Sequence, residues 1–532
     1  MLQKTADRLP EKIALVDGDT RLTYGQVLEE ASRLSSALSK LGLTKGSVAA
    51  VYLPNAAELV TLFFALQKLG VVIAWVNPNY REHEVRFILE DSGAETLFLF
   101  EEWAGYGCLS AVLSLDGLPQ LRTIVVARPT DGFIADDERV TTSADVVAMA
   151  DRDPAAASSL PGAAVSPDDL SMLIYTSGTT ARPKGAMIRQ SQTVRAGFSY
   201  SLGVNATEDD VFIGFLPMSH SYGCGALLVQ PFILGARLVM LDRFSPERAF
   251  ALIEKERVTI QLAAPAHYIL ELDSSTRADF DLSSVRAGLI AGQIAPAGLI
   301  TKVEREMGVH IASFLGSSEV GPGLSIILPY PSPLEVRERS IGYPLIGTEA
   351  SIADPATGQE LPAGESGELI LRGWHVTQGY WNNPDETANQ IRDGWLHTGD
   401  LAMRDEDGCF SILGRIKDCI NRGGFKVIPS EIEAILVQQP HVSEACVVGT
   451  PNPVLGESIC ACVILDASAD GLTLSDVRTH MKGRVADFKL PDEMVILTEL
   501  PRMPGGVKVN RYGTGGVVEL ARESTDKQTL RR

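Results

Sequence analysis

Long apolar runs are missing from this sequence. The most apolar stretch, Leu59 to Val76, is broken by Gln67, Lys68 and Gly70, whereas a membrane span needs about 20 apolar residues in succession. It reads as a buried helix turning into a strand, so integral membrane association is not expected. Cysteine is sparse: seven residues, at 108, 224, 409, 419, 446, 460 and 462, form no C-x-x-C pair and no Cys/His spacing. That pattern argues against a zinc site and leaves reduced thiols as the expectation. Cys460 and Cys462 lie in the apolar run Ile459 to Leu465, where alternate residues of a strand share one face. Positive charge is in deficit, 47 Lys and Arg against 67 Asp and Glu, a net −20. Nucleic acid and anionic membranes are therefore poor candidates for the main partner, although a local cationic site for an anionic ligand is still allowed. The opening residues Met1 to Arg8 have no signal-peptide core, and a cytoplasmic protein is expected.

At 532 residues the chain is too long for one ordinary core, so two or more domains are expected. Hydrophobic residues at 45% and charged residues at 21% describe a globular protein. From Leu22 onward helical periods alternate with short β-branched runs, the pattern of α/β layering. Thr23 reads as a helix cap, Ser47–Leu53 as a strand, Ala57–Leu69 as a helix and Val71–Val76 as a strand. An Ala, Ser, Pro and Asp-rich stretch, 151–167, reads as a surface linker. A second α/β unit follows to about residue 330, with strands at 211–216, 237–241, 259–262 and 288–291. From about 340 to 413 the pattern is all-β with turns such as Asp405–Gly408. A third αβ region begins after Gly414, with a capping-box-like start at Ser430 and strands at 442–448 and 459–465. The last residues, from about Arg522, are polar and expected to be disordered.

The densest chemical signal is Tyr175-Thr-Ser-Gly-Thr-Thr-Ala-Arg-Pro-Lys-Gly185. Four hydroxyls (Thr176, Ser177, Thr179 and Thr180), Gly178, Gly185 and Lys184 follow an apolar strand. Hydroxyls and unhindered N–H groups can wrap phosphate oxygens while lysine neutralises charge. The spacing differs from the G-x-x-x-x-G-K-[ST] loop. Without Pro183-Lys184-Gly185, a Ser/Thr-rich surface turn would be the better reading of the hydroxyls.

This segment resembles the phosphate loop of the adenylate-forming superfamily: acyl-CoA synthetases, firefly luciferase-like enzymes and peptide-synthetase adenylation domains. Two more motifs, Gly394-Trp-Leu-His-Thr-Gly-Asp400 and Gly414-Arg-Ile-Lys-Asp-Cys-Ile-Asn-Arg-Gly-Gly-Phe-Lys426, follow in the family's order. The resemblance runs from about residue 8 to about residue 512. It implies a large N-terminal domain, residues 1–415, of two α/β subdomains (about 1–165 and 166–335) and a β-barrel-like subdomain (336–415). A small mobile α+β domain, 416–532, would follow a hinge near Lys417.

The resemblance also assigns roles. Thr176, Ser177, Gly178, Thr179, Thr180 and Lys184 match the loop that holds the ATP phosphates. In Phe314-Leu-Gly-Ser-Ser-Glu319, Glu319 would hold Mg²⁺ and Ser318 would contact the α-phosphate, with Gly316 and Ser317 beside it. Leu315 stands where the family carries an adenine-packing tyrosine. Gly292 and Gln293 belong to the nucleotide set. Asp400 matches the ribose-binding aspartate and Arg415 an arginine that also reaches the ribose; alone, these would read as a turn cap and a surface ion pair. Lys508 matches the catalytic lysine of the family's C-terminal segment, but Val507 separates it from Gly506 where the family has glycine and lysine adjacent.

The acyl pocket is assigned to His220, Ser221, Tyr222, Gly223, Ala291, Gly292, Gly316 and Gly323, with His220 as a gate beside the carboxylate. Small residues at 221, 223, 225 and 226 would leave room for a bulky acid. Lys417, Gly423, Gly424 and Phe425 match the hinge and the loop that admits CoA. The expected chemistry is adenylation of a carboxylic acid by MgATP, then transfer to CoA. Loading of an acyl carrier protein and an inactive nucleotide-binding regulator are the alternatives, and a homodimer stays open.

Overall fold

A computed structural model describes residues 1–151, 164–176, 183–423, 425–466, 471–503, 509–512, 514–524 and 527–529. Their contacts divide into two compact units. The larger comprises Met1–Ala291, Ile300–Glu349 and Leu371–Leu396, and the smaller Gly292–Leu299, Ala350–Ile370 and His397–Arg532. The contacts therefore do not divide at the expected 415/416 boundary, because the 336–415 segment is shared between the units. Among the described residues no helix is long and apolar enough to cross a membrane.

Two sheets build the larger unit. One has nine strands in the order Tyr343–Pro344, Ile326–Ile327, His310–Leu315, Ala287–Ile290, Ile260–Ala263, Val211–Gly214, Arg237–Met240, Ile13–Asp17 and Thr20–Thr23. The other has seven, in the order Lys184–Arg189, Leu170–Thr176, Val72–Trp75, Val48–Tyr52, Thr96–Phe100, Thr123–Arg128 and Val140–Thr142. The expected cut at 165/166 is thus crossed twice. Strand Ile13–Asp17 pairs with Arg237–Met240, and Leu170–Thr176 pairs with Val72–Trp75. Each strand joins the sheet that buries its apolar face, and sequence order alone does not say which sheet that is.

Local signals behaved as their chemistry requires. Thr23 caps the helix Tyr24–Lys40 in a reciprocal box with Gln26, which satisfies two of its free N–H groups. The helix Ala57–Leu69 is buried from Leu59 to Leu66 and ends on Gly70 at φ 71°, the left-handed cap that glycine adopts without strain. Gly70 is the break that keeps Leu59–Val76 from being one long apolar helix. The 340–413 segment is not all-β: Asn383, Pro384 and Glu386 start a short helix, Pro384–Gln390, with the Asn383 side chain accepting from the Glu386 N–H.

In the nine-stranded sheet, Val211–Gly214, Ile260–Ala263, Ala287–Ile290 and His310–Leu315 are neighbouring parallel strands. The loops leaving their carboxyl ends carry His220, Ala291 and Gly316–Glu319. Ligands of open α/β sheets bind at that edge.

The smaller unit holds an antiparallel pair in which Asp400 faces Arg415, and a six-stranded sheet built on Val442–Asn452 and Gly456–Leu465. Its cores gather Val447, Ile459, Ala461 and Val463 on one face and Cys446, Cys460 and Cys462 on the other, as the alternation predicted for residues 460 and 462. Ser430 does not cap its helix. The helix starts at Pro429 after Ile428 without a side-chain cap, and the Ser430 hydroxyl donates to the Leu413 carbonyl instead. The tail is also more ordered than expected: Gln528–Thr529 pairs with Glu493 and Met494.

Two buried features of the larger unit yield tests. A Cβ on Gly225 would lie 1.6 Å from the Pro322 carbonyl oxygen, so Gly225→Ala should destabilise the protein by about 2–3 kcal/mol in denaturant melts. Wild-type stability would show that the Pro322 loop yields.

Glu271 is fully buried and accepts from Gln261 Nε2 through both oxygens, at 2.8 and 2.7 Å. Burial raises its carboxyl from 4.5 to about 8. The folded state then holds a proton that the unfolded state releases above 4.5, so this group's contribution to stability is full below pH 4.5 and falls as pH rises to about 8. Glu271→Gln should flatten that slope in melts between pH 5 and 8, and an unchanged slope would show that Glu271 is not its source.

Candidate active site

Six of the expected residues, Ser177, Gly178, Thr179, Thr180, Gly424 and Lys508, lie outside the described residues. The flanks of the hydroxyl-rich loop are described. Thr176 and Lys184 are direct partners across the antiparallel pair Leu170–Thr176 and Lys184–Arg189, so the loop is a hairpin connection between two sheet strands. Tyr175, at its entrance, donates to Asp91 Oδ2 at 2.8 Å.

Lys184 leaves the hairpin into a largely buried setting. Its side chain is 10% exposed and ion-paired to Glu386, and its ammonium lies 5.6 Å from the centre of the Tyr380 ring. Tyr380 in turn donates to Glu319 Oε1 at 2.8 Å. Burial, and then the Glu319 charge, push the phenol's pKa well up, which keeps it a proton donor. Lys184 and Glu319, 135 positions apart by their numbers, are thereby joined through one side chain.

Tyr380 and Glu386 were not singled out from the sequence. The available signal was Asn383-Pro384-Asp385-Glu386, an N-cap followed by proline and acids that marks a helix start and aims Glu386 from its first turn.

A backbone strap fixes this arrangement. Thr377 N–H donates to the Glu319 carbonyl at 2.7 Å, Met187 N–H to Gly379 at 3.0 Å, and Trp381 N–H to Gly185 at 2.8 Å. Gln192 Nε2 donates to the carbonyls of His375 and Val376. Residues 377–381 thus line the outer edge of the strand that begins with Lys184. Gly379, at φ 132°, is required where the strap folds onto its own helix, since a Cβ there would meet Thr387 Cγ2 at 2.4 Å.

Around the expected acyl pocket, the His220 side chain is exposed and caps the following turn, its Nδ1 accepting from Tyr222 N–H at 3.4 Å. Ser221 is buried beside it. Tyr222 is buried, donates to the Leu289 carbonyl at 3.0 Å and packs edge-on against Phe314, with ring centres 4.9 Å apart. Tyr200 stacks on Tyr222 at 5.9 Å and meets Phe314 edge-on at 5.4 Å, so the three rings form one cluster.

Gly223 and Gly225 do not provide room, which corrects the expectation for these two positions. A Cβ on Gly223 would meet the Pro217 oxygen at 2.1 Å, and one on Gly225 the Pro322 oxygen at 1.6 Å. Glycine at these positions admits backbone. Gly316 and Gly323 are likewise brought together, the Gly323 oxygen 3.0 Å from a Cβ at 316. Leu315 pairs with Ile326 in the sheet, Ala291 is buried at the end of its strand, and Ser318 is buried in the turn Ser318–Val320 with Ser317 before it. Gly292, at φ 90°, and Gln293 fall within the smaller unit.

Also in the smaller unit, Arg415 Nε and Asp400 Oδ1 are 2.9 Å apart, and Arg415 donates to the Thr398 carbonyl. Asp400 N–H is held by the Thr398 hydroxyl. The Asp400 side chain is 14% exposed and that of Arg415 44%. Lys417 stands over the Tyr512 ring at 5.4 Å, and burial lowers its pKa. Gly423, at φ 59°, donates to the Leu455 carbonyl. Phe425, 57% exposed, stacks on Phe488 at 4.6 Å. Among the described residues no group of three or more His, Cys, Asp or Glu gathers as a metal site.

Residues 2–381 match the AMP-binding enzyme family and residues 431–506 the AMP-binding enzyme C-terminal domain. The chain is 32% identical to a medium-chain fatty-acid–CoA ligase of Escherichia coli, over 96% of this chain and 88% of that protein. It is 31% identical to 4-coumarate-CoA ligase 1 of Narcissus pseudonarcissus, over 93% and 89%. Among solved structures, the anthranilate CoA ligase AuaEII in complex with anthranoyl-AMP superposes with a TM-score of 0.86 at 28% identity, covering 96% of this chain and 95% of that one. The chain belongs to the AMP-binding enzyme family.

Proposed function

We propose that this protein is an ATP-dependent carboxylic acid:CoA ligase. A carboxylate oxygen of the acid attacks the α-phosphorus of ATP, forming an acyl-adenylate and expelling pyrophosphate. The CoA sulfur then attacks the acyl carbon, its proton is lost, and AMP leaves with the bonding pair. The observation that carries this reading is the joining of Lys184 and Glu319 through Tyr380, which puts a cation and a carboxylate beside the exit of the hydroxyl-rich hairpin.

The first step brings two anions together, so its barrier falls where fixed positive charge and oriented donors meet the phosphates. Lys184 and the hydroxyls of Thr176, Ser177, Thr179 and Thr180 are suited to the β- and γ-phosphates, and Ser318 to the α-phosphate. Glu319 would hold Mg²⁺. One carboxylate is a fitting donor set, because Mg²⁺ takes its other positions from substrate phosphates and water; the ion supplies charge to the phosphates. Asp400 is suited to both ribose hydroxyls, with Arg415 keeping its carboxylate in place. Lys508 is assigned to the α-phosphate and the attacking carboxylate, and the turn at Lys417 to the hinge that exchanges it for the Gly423–Phe425 loop.

No protein nucleophile is required, which suits thiols such as Cys224, whose pKa burial pushes well up. The chemistry named for the relatives, joining carboxylic acids to CoA, supports CoA as acceptor.

Pyrophosphate release measured over fatty, alicyclic and aromatic acids, with and without CoA, tests the reading. At least one acid should trigger release, and thioester should appear only with CoA. ATP binding without release for any acid would instead identify a nucleotide-binding protein. Lys508→Ala should depress adenylate formation about 100-fold or more, the range of a positioned charged catalytic group, while sparing thioester formation from supplied acyl-adenylate. Equal loss in both half-reactions would remove Lys508 from its role.

A further inference from the structure

We infer that Tyr380 and Glu386 are positioning residues for nucleotide binding, a reading that rests on the proposed ATP chemistry: Tyr380 aims the Glu319 carboxylate, and Glu386 aims the Lys184 ammonium. Neither residue is placed to react. Each acts through a group that the resemblance assigns a role, Lys184 toward the ATP phosphates and Glu319 toward Mg²⁺.

The geometry separates the two roles. The Tyr380 O–H occupies one lone pair of Glu319 Oε1, at 2.8 Å, and leaves the rest of the carboxylate's acceptor capacity for a cation that would accompany the phosphates. The hydrogen bond also selects one rotamer, since the backbone on either side is fixed: Thr377 N–H is bonded to the Glu319 carbonyl itself, and Tyr380 N–H to the Thr387 hydroxyl at 2.9 Å. A free glutamate would sample several orientations and lose that freedom on binding.

Glu386 solves a different problem. A lysine 10% exposed needs a partner before the phosphates arrive, and Glu386, itself 25% exposed, provides it. An ammonium has three donors, so one can stay on Glu386 while the others meet phosphate oxygens. Because Glu386 sits in the first turn of a helix capped by Asn383, its position is set by backbone rather than by a flexible arm. Tyr380 lies in the strap and Glu386 in the helix Pro384–Gln390 that follows it, so one short segment, 380–386, orients the carboxylate and the cation together.

Calorimetric titration with ATP, in Mg²⁺ and in EDTA, tests the inference without relying on turnover. Tyr380→Phe removes the donor and keeps the ring. It should raise the dissociation constant for MgATP by about tenfold, the loss of a hydrogen bond to a charged group, and leave ATP in EDTA unchanged. Glu386→Gln should weaken both forms by a similar factor, and Glu386→Asp, which keeps the charge on a shorter arm, should recover part of the loss. Thermal unfolding should match wild type in each case. Wild-type affinity in either variant would overturn the corresponding assignment, as would equal weakening of both ATP forms in Tyr380→Phe or no recovery in Glu386→Asp. Wild-type protein that binds MgATP yet releases pyrophosphate with no acid would overturn the ligase reading alone. Wild-type protein that binds no ATP would overturn both.

Discussion

Backbone pairing along the strand Lys184–Arg189 holds the candidate site together. Its inner edge pairs antiparallel with Leu170–Thr176, which closes the hydroxyl-rich hairpin. Its outer edge receives the segment 377–381 through Gly379 and Trp381. Peptide hydrogen bonds fix register to within a residue, so the place where Lys184 emerges, the place where Tyr380 points and the carbonyl of Glu319 are set relative to one another by main chain. Side chains then need little freedom to meet.

That rigidity suits reactions between anions. Charge stabilisation is strongest when the groups supplying it are already oriented and partly shielded from water. The partners of Lys184 and Glu319 fit this requirement, since Glu386 and Tyr380 come from one short segment, the strap and the helix Pro384–Gln390 that follows it. The loops bearing His220, Ala291 and Gly316–Glu319 open at the carboxyl edge of parallel strands, where strand geometry brings distant segments together. The tight aromatic packing of Tyr200, Tyr222 and Phe314 bounds this region with buried rings whose hydroxyls are committed to carbonyls.

Much of this was legible in the sequence where a single stretch carries its own explanation. The helix Ala57–Leu69 with its Gly70 stop, the Thr23 cap and the strand entering the hairpin were all read correctly, because capping and periodicity are local. Nonlocal pairing was not legible: nothing in Ile13–Asp17 says that its partner is Arg237–Met240. The meaning of Gly223 and Gly225 was misread for the same reason, since small residues give room or admit backbone according to what packs against them, and here Pro217 and Pro322 do. Ser430 looked like a cap, yet it serves a carbonyl elsewhere. The candidate site was legible as separate motifs, and Tyr380, the side chain that connects two of them, stood outside every motif read.

Acid-dependent exchange of labelled pyrophosphate into ATP, with CoA left out, tests the central claim most directly, since it reports reversible adenylation and nothing downstream. The account predicts exchange that requires both the accepted acid and Mg²⁺. Protein that binds MgATP and the acid together but exchanges no label would contradict it.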